Sequence, residues 1–240
     1  MKKVFLGIIL LVGASCEYNN IGPRFCYVAS AVTSYNVSYF TYNSANELVS
    51  YSATGVSSST IASDGAGNIV SELDNENIQI NYTYDERNQL ILWTESFTDA
   101  PHYNREVKFM YNENGQSVLQ QYLLYHVSSS SYILWRYETL SYGSSTGRNY
   151  SERKMYDATS ALLYTQNYQW DSHPNPYLSN AFFINEPPPS NNILQYTYTL
   201  AGGLPQVTNY TYTYNSNGFP LTQTIPGYAT IASYTYTNCN

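Results

Sequence analysis

Three histidines, His102, His126 and His173, are the residue types best suited to metal binding or proton transfer, and they lie scattered along the chain. None stands in an H-E-x-x-H or comparable ligand spacing, so no metal site is expected. His173 follows Asp171 by two residues, a spacing that suits a turn in which the carboxylate accepts a backbone N–H. Glu72, Asp74 and Glu76 alternate and would share one strand face, where a solvated edge or turn is the expected role. A glycan-cleaving carboxylate pair can come from acids distant in sequence, so that reaction stays open while no catalytic residue is assigned. No serine-nucleophile elbow of the G-x-S-x-G type is expected, and no Gly-rich phosphate loop occurs. Asn112-Glu113-Asn114-Gly115 has the letters of part of a calcium loop without its remaining ligands, and is read as a turn. No cofactor is implied.

Aromatic side chains offer the one positive signal for recognition. Trp93, Trp135, Trp170 and Tyr177 are candidate ligand-binding residues, because a flat apolar face with a polar rim can stack on a sugar ring or a peptide. The competing reading makes them the core of the sheet itself.

The elements that would position these groups are strands. Tyr39-Phe40-Thr41-Tyr42-Asn43, Tyr82-Thr83-Tyr84-Asp85, Phe109-Met110-Tyr111-Asn112 and Tyr212-Thr213-Tyr214-Asn215 repeat one phrase: aromatics on one strand face, then an Asn or Asp that starts a reversal. Tyr196-Thr197-Tyr198-Thr199, Tyr210 to Tyr214 and Tyr234-Thr235-Tyr236-Thr237 alternate with period two, setting Tyr on one face and Thr on the other. Gly115 and Gly218 stand where a turn needs a left-handed residue. Strands are expected near 26–42, 47–54, 69–74, 77–84, 89–97, 105–112, 117–127, 132–142, 149–157, 161–170, 193–200, 206–214, 219–225 and 230–237. The fold class is all-β: an antiparallel meander of many hairpins forming a strongly curved sheet or partly closed barrel. Residues 171–192 hold five of the ten prolines and are expected to form a long loop packed over an edge or mouth of the sheet, with Tyr177, Phe182, Phe183 and Ile184 as its apolar groups.

Lys2 and Lys3, the apolar run Val4 to Val12 and Gly13-Ala14-Ser15-Cys16 make an export signal over 1–15, too short for the about 20 residues that cross a bilayer. Residues 16–25 would form a tether and 26–240 a single all-β domain. The placement of Cys16 after small residues resembles a bacterial lipobox, which would acylate that cysteine and anchor the chain to a membrane; the alternative is an ordinary signal cut before an unmodified cysteine. Cys26 and Cys239 then remain as a candidate disulfide, or as two isolated thiols. With 28 Tyr and only 11% charged residues, the surface must be solubilised by Ser, Thr, Asn and Gln. A net charge of −7 repels a phosphate backbone, so nucleic acid is excluded as a partner.

The hairpin phrase is similar to the tyrosine-aspartate repeats of Rhs-type proteins. A closer resemblance is carried by Trp170-Asp171-Ser172-His173-Pro174-Asn175-Pro176-Tyr177, Ser190-Asn191-Asn192-Ile193, Tyr212 to Pro220 and Tyr234 to Cys239. These segments resemble the C-terminal half of small Bacteroidota-type lipoproteins with a porin-like domain of unknown function. The resemblance implies a curved antiparallel sheet held in the cell envelope, at the outer membrane, by an N-terminal lipid, and brings no catalytic residue.

The first expectation is therefore a lipid-anchored envelope binding module whose Tyr-lined sheet contacts a saccharide or an envelope protein. A glycan hydrolase is the second. The third, an integral outer-membrane barrel, would need an outward apolar belt, which the Thr, Ser and Asn faces do not supply.

Overall fold

A computed structural model describes residues 26–33, 36–54, 58–74, 78–144, 147–177 and 189–239. The export signal, Cys16 and its tether, Glu76, Phe182, Phe183 and Ile184 lie outside the described residues. The strands are β1 (Tyr27–Thr33), β2 (Val37–Tyr42), β3 (Leu48–Ala53), β4 (Ser58–Ser63), β5 (Ile69–Asp74), β6 (Ile78–Tyr84), β7 (Leu90–Phe97), β8 (Arg105–Tyr111) and β9 (Ser117–His126). They continue as β10 (Ser131–Tyr142), β11 (Tyr150–Asp157), β12 (Leu162–Pro174), β13 (Asn191–Leu200), β14 (Gln206–Asn209), β15 (Thr211–Tyr214), β16 (Pro220–Thr224) and β17 (Thr230–Thr237).

All seventeen belong to one antiparallel sheet. Each strand pairs with its sequence neighbour, and β1 pairs with both β2 and β17, so the two ends of the meander meet. β14 and β15 are halves of one strand interrupted at Tyr210: the first half pairs with β13 and the second with β16. The result is a nearly closed barrel. Cys26 and Cys239, at the free ends of β1 and β17, are joined as a disulfide with Cα atoms 4.2 Å apart.

One turn grammar recurs. Asn43, Asp64, Asp85, Asn112, Asp157 and Asn215 each accept, on the side-chain oxygen, the backbone N–H groups two and four residues on. The residue three positions on has positive φ in every case: Asn46, Gly67, Asn88, Gly115, Ser160 and Gly218. Asn, Asp and Gly tolerate that conformation, whereas Ser160 carries a side chain that resists it. A tyrosine hydroxyl then latches each hairpin to the previous one: Tyr84 donates to the Ile69 carbonyl at 2.9 Å, Tyr111 to Leu90 at 2.8 Å, Tyr142 to Ser117 at 2.9 Å and Tyr236 to Pro220 at 2.6 Å. The sequence phrase therefore encodes both the reversal and the contact that registers it.

Alternation makes the turns after β2, β4, β6, β8 and β15, the β12–β13 connection and the disulfide share one end of the barrel. The turn after β11 lies at the other end.

Three expectations need adjustment. The stretch 26–42 is two strands, because Thr33 turns back on Asn36: its N–H donates to the Asn36 carbonyl at 2.8 Å. The loop expected over 171–192 begins later, since β12 runs to Pro174 and pairs there with Asn191. Asp171 holds that junction, accepting from the His173 and Asn192 backbones, from Asn192 Nδ2 at 3.0 Å and from the Tyr214 hydroxyl at 2.5 Å. Ring segregation holds in the Tyr-Thr strands and in the phrase pairs Phe40 and Tyr42, Tyr82 and Tyr84, and Phe109 and Tyr111, but it has exceptions: Tyr39 faces out, and Tyr137 stacks on Tyr156 at 4.9 Å along a register out of phase with the buried Glu138 and Met155.

Candidate functional site

The inner face of the barrel is chemically divided. Across β1 to β8 the inward positions include Val28, Ala31, Phe40, Leu48, Ile61, Ile69, Tyr82, Leu90, Trp93, Val107 and Phe109, all buried in one apolar cluster, with the carboxylates of Glu72 and Glu95 set beside them. From β9 onward the same positions change character. Gln120, Tyr122, Arg136, Glu138, Arg153, Tyr164, Gln166, Tyr196 and Tyr198 alternate in phase with buried Leu140 and Met155, or pair across the ladder with residues that do. Tyr122, Arg136, Tyr164, Gln166, Tyr196 and Tyr198 are half-buried, so this half of the inner face is only partly covered.

Charge sits at its centre. Glu138 on β10 is 3% exposed and pairs with Arg153 Nε on β11. Arg153 also donates to the Tyr122 hydroxyl at 3.4 Å, and Tyr122 donates in turn to Gln120 Oε1 at 3.1 Å. A β-bulge at Trp135 sets Trp135 and Arg136 together against Tyr122. The Arg136 guanidinium lies 4.2 Å from the Trp135 ring centroid and 4.7 Å from that of Tyr122, within cation–π range. Its Nε is buried without a hydrogen-bond partner among the described residues.

Tyrosines and a glutamine line the far wall. Gln166 Nε2 donates to the Tyr196 hydroxyl at 2.8 Å and Gln166 Oε1 accepts from Tyr168 at 2.8 Å. Tyr164 and Tyr198 have ring centroids 5.2 Å apart. Burial pushes the Tyr164 hydroxyl above its ordinary pKa, and the Glu138 charge adds to this while Arg153 and Arg136 oppose it. Burial likewise raises Tyr196, against the hydrogen bond from Gln166. Both stay protonated at neutral pH and available as donors.

The four aromatic candidates from the sequence do not converge. Trp93 is 4% exposed and belongs to the apolar core. Tyr177 is packed on Phe40 at 6.2 Å and Tyr234 at 5.9 Å, so the start of the β12–β13 connection lies against the inner face. Trp170 donates from Nε1 to the Tyr150 carbonyl at 2.8 Å and stacks on Tyr168 at 5.5 Å, bordering the tyrosine wall. Trp135, 49% exposed, is the one that meets the charged cluster. Arg136, Glu138 and Arg153 were missed. Their sequence signal is a charge in phase with apolar residues on an alternating strand, Glu138 with Leu140 and Arg153 with Met155.

Two further expectations change. Glu72 is no solvated edge: it lies 7% exposed opposite Ile61 and Ile80, with its carboxyl raised above the ordinary range by burial and held down by Ser59 and Tyr82. Gly143-Ser144-Ser145-Thr146-Gly147 does carry the letters G-x-S-x-G, but it joins two antiparallel strands, β10 and β11, and not the strand and helix an elbow requires. Nearby, a depression lined by Asn112, Gln116, Val118, Leu140, Tyr142, Gly143 and Ser144 holds a side chain already committed, since Gln116 donates to the Ser144 and Gly147 carbonyls. Among the described residues no cluster of His, Cys, Asp and Glu could hold a metal ion.

No family model and no curated protein matches the chain. Solved structures do. A porin-like protein from Bacteroides vulgatus aligns with a TM-score of 0.61 at 10% identity over 88% of this chain and 99% of its own. A porin-like protein from Bacteroides uniformis aligns at 0.57 and 13% identity over 88% and 96%. At these identities the likeness establishes the fold: an all-β barrel of the porin-like kind. A TcdB2–TccC3 toxin chain aligns at 0.39, too loosely to bear on it.

Proposed function

We propose that this chain is an exported cell-envelope binding protein, anchored through a lipid on Cys16, that takes a saccharide on the half-open inner face formed by β9 to β15. The observation that carries the reading is the division of that face. One half is closed mainly by aliphatic and aromatic residues, while the other presents Tyr rings with Gln and Arg donors, the combination that stacks on sugar faces and bonds sugar hydroxyls.

Geometry favours a tether at one end and a ligand within. Cys26 lies at the end of the barrel that holds five of the six Asx turns, and nine residues separate it from Cys16. A bilayer would then face the turn end, leaving the opposite mouth toward solvent. An integral barrel fits less well, because β1 to β8 have six to eight residues each while a tilted membrane strand takes about 9–11. Their outer face also carries the ion pair Lys108–Glu106, a poor lipid contact.

The test has two arms. Cys16→Ser is expected to move the protein from the membrane to the soluble fraction; retention after carbonate extraction would overturn the anchor. On a glycan array, wild type is expected to bind a subset of chains, and Tyr196→Ala to weaken that binding by about tenfold, the loss of one stacked ring. Absence of binding to every glycan would overturn the saccharide reading.

A further inference from the structure

We infer that Arg136, clasped between Trp135 and Tyr122, is the seat of a carboxylate on the bound sugar, so that the ligand is an acidic glycan. This rests on the saccharide reading above and narrows it.

The seat is built from three observations. First, the bulge at Trp135 fixes the guanidinium between two rings, which orients its donors and leaves its long side chain little rotamer freedom to lose on binding. Second, Nε is buried without a hydrogen-bond partner among the described residues while the side chain as a whole is only half-buried, so a ligand would meet the guanidinium through its outer donors. Third, the nearest charges are already used. Glu138 belongs to Arg153. Asp157, the register partner of Arg136, is turned into its own hairpin, where Oδ1 accepts from the Thr159 and Ala161 backbones. Arg136 is thus the inward guanidinium that no carboxylate among the described residues bonds.

The planar fork of a guanidinium fits a carboxylate through two parallel bonds, a geometry a point charge cannot reproduce. A ring attached to that carboxylate would fall beside Trp135, whose exposed half offers a stacking surface. A phosphate dianion suits the site less, since the chain as a whole carries −7 and repels multiply charged anions.

The experiment is an array of matched glycans, each uronate- or sialate-bearing chain printed beside its carboxyl methyl ester, read with wild type, Arg136→Gln and Arg136→Lys. Wild type is expected to prefer the acid over its ester by about tenfold or more, the worth of a charge-assisted hydrogen bond. Arg136→Gln should bind acid and ester equally, and at the level wild type shows for the ester. Arg136→Lys should recover only part of the preference. Millimolar inorganic phosphate should displace the acidic glycans no better than acetate does. Equal binding of acid and ester by wild type would overturn the carboxylate seat and leave the saccharide reading standing, whereas no binding to either form would overturn both. Displacement by phosphate far below the effective acetate concentration would overturn the choice of carboxylate. Circular dichroism melts of the variants guard against unfolding; if Arg136→Gln melts early, the preference of wild type for acid over ester and the phosphate arm still decide.

Discussion

Removing the negative charge of Glu138 leaves the Arg153 guanidinium facing Tyr122 and the Tyr150 ring inside the barrel. Breaking a buried pair in this way typically costs about 3–5 kcal/mol, because the surviving charge is stranded. Arg153 is 15% exposed at its side chain against 3% for Glu138, so water can reach it and the lower end, about 3 kcal/mol, is expected for Glu138→Gln. For a chain of this size that corresponds to a fall in Tm of about 6–12 °C. The partner variant behaves differently with pH. In Arg153→Met the stranded group is a carboxyl, which burial pushes above its ordinary pKa; stability is then lowest above that raised value and recovers as pH falls toward about 4.3, the unfolded value. Arginine cannot shed its proton in the same range, so Glu138→Gln should show no such recovery. Glu138→Leu with Arg153→Met should regain most of the loss, since a well-packed apolar pair is often as stable as the ions it replaces. Urea melts from pH 4 to 8 measure all three. Single variants within about 0.5 kcal/mol of wild type, or identical pH profiles for the two, would refute the reasoning.

Glu72→Gln should stabilise the protein at pH 7, because burial raises the native carboxyl and makes its ionised form unfavourable; the advantage should vanish below the ordinary carboxylate range, as urea midpoints at pH 7 and pH 4 would show. Cys239→Ser opens a closure spanning 213 residues and should lower stability by up to about 5 kcal/mol on the chain-entropy model, measured as a shift in thermal midpoint relative to the oxidised protein. Asp171→Ala removes an acceptor shared by β12, β13 and β15 and should cost about 3 kcal/mol, with hydrogen exchange accelerating first at Asn192 and His173. Ser160→Gly should stabilise by about 1 kcal/mol by relieving a positive φ, read from a denaturant melt.

Much of the fold was legible because it is written locally. An Asn or Asp after an alternating aromatic run specifies its own reversal, and the side-chain oxygen that makes the turn is the residue that announces it, as at Asp85 and Asn112. Where the reversal uses other chemistry it was missed: Thr33 bonding back to Asn36 carries no such signature in a run of strand-forming residues. The site was much less legible. Trp135 was visible as a large aromatic, but its partner Arg136 reads as one charge among few. Only the bulge, which sets both residues against Tyr122, brings ring and guanidinium together. Bulges interrupt the period of two on which strand reading depends, so register beyond one cannot be extrapolated from the sequence.

The width of the barrel bears on why its inner face is divided at all. Counting β14 and β15 as one leaves sixteen positions around the ring, and a round barrel of about that size is too wide for side chains to fill. The apolar half resolves this by packing the walls into one buried cluster, onto which Tyr177 also folds. Nothing in that solution calls for the residues opposite. Stability alone would favour aliphatic groups at inward positions of β9 to β13, since a buried ion pair rarely improves on them. Glu138, Arg153 and Arg136 stand there instead, beside tyrosines whose hydroxyls remain protonated and half-accessible. On the binding reading proposed above, this cost of desolvation is the counterpart of contact with a polar ligand, and Arg136 is the proposed point of its strongest contact.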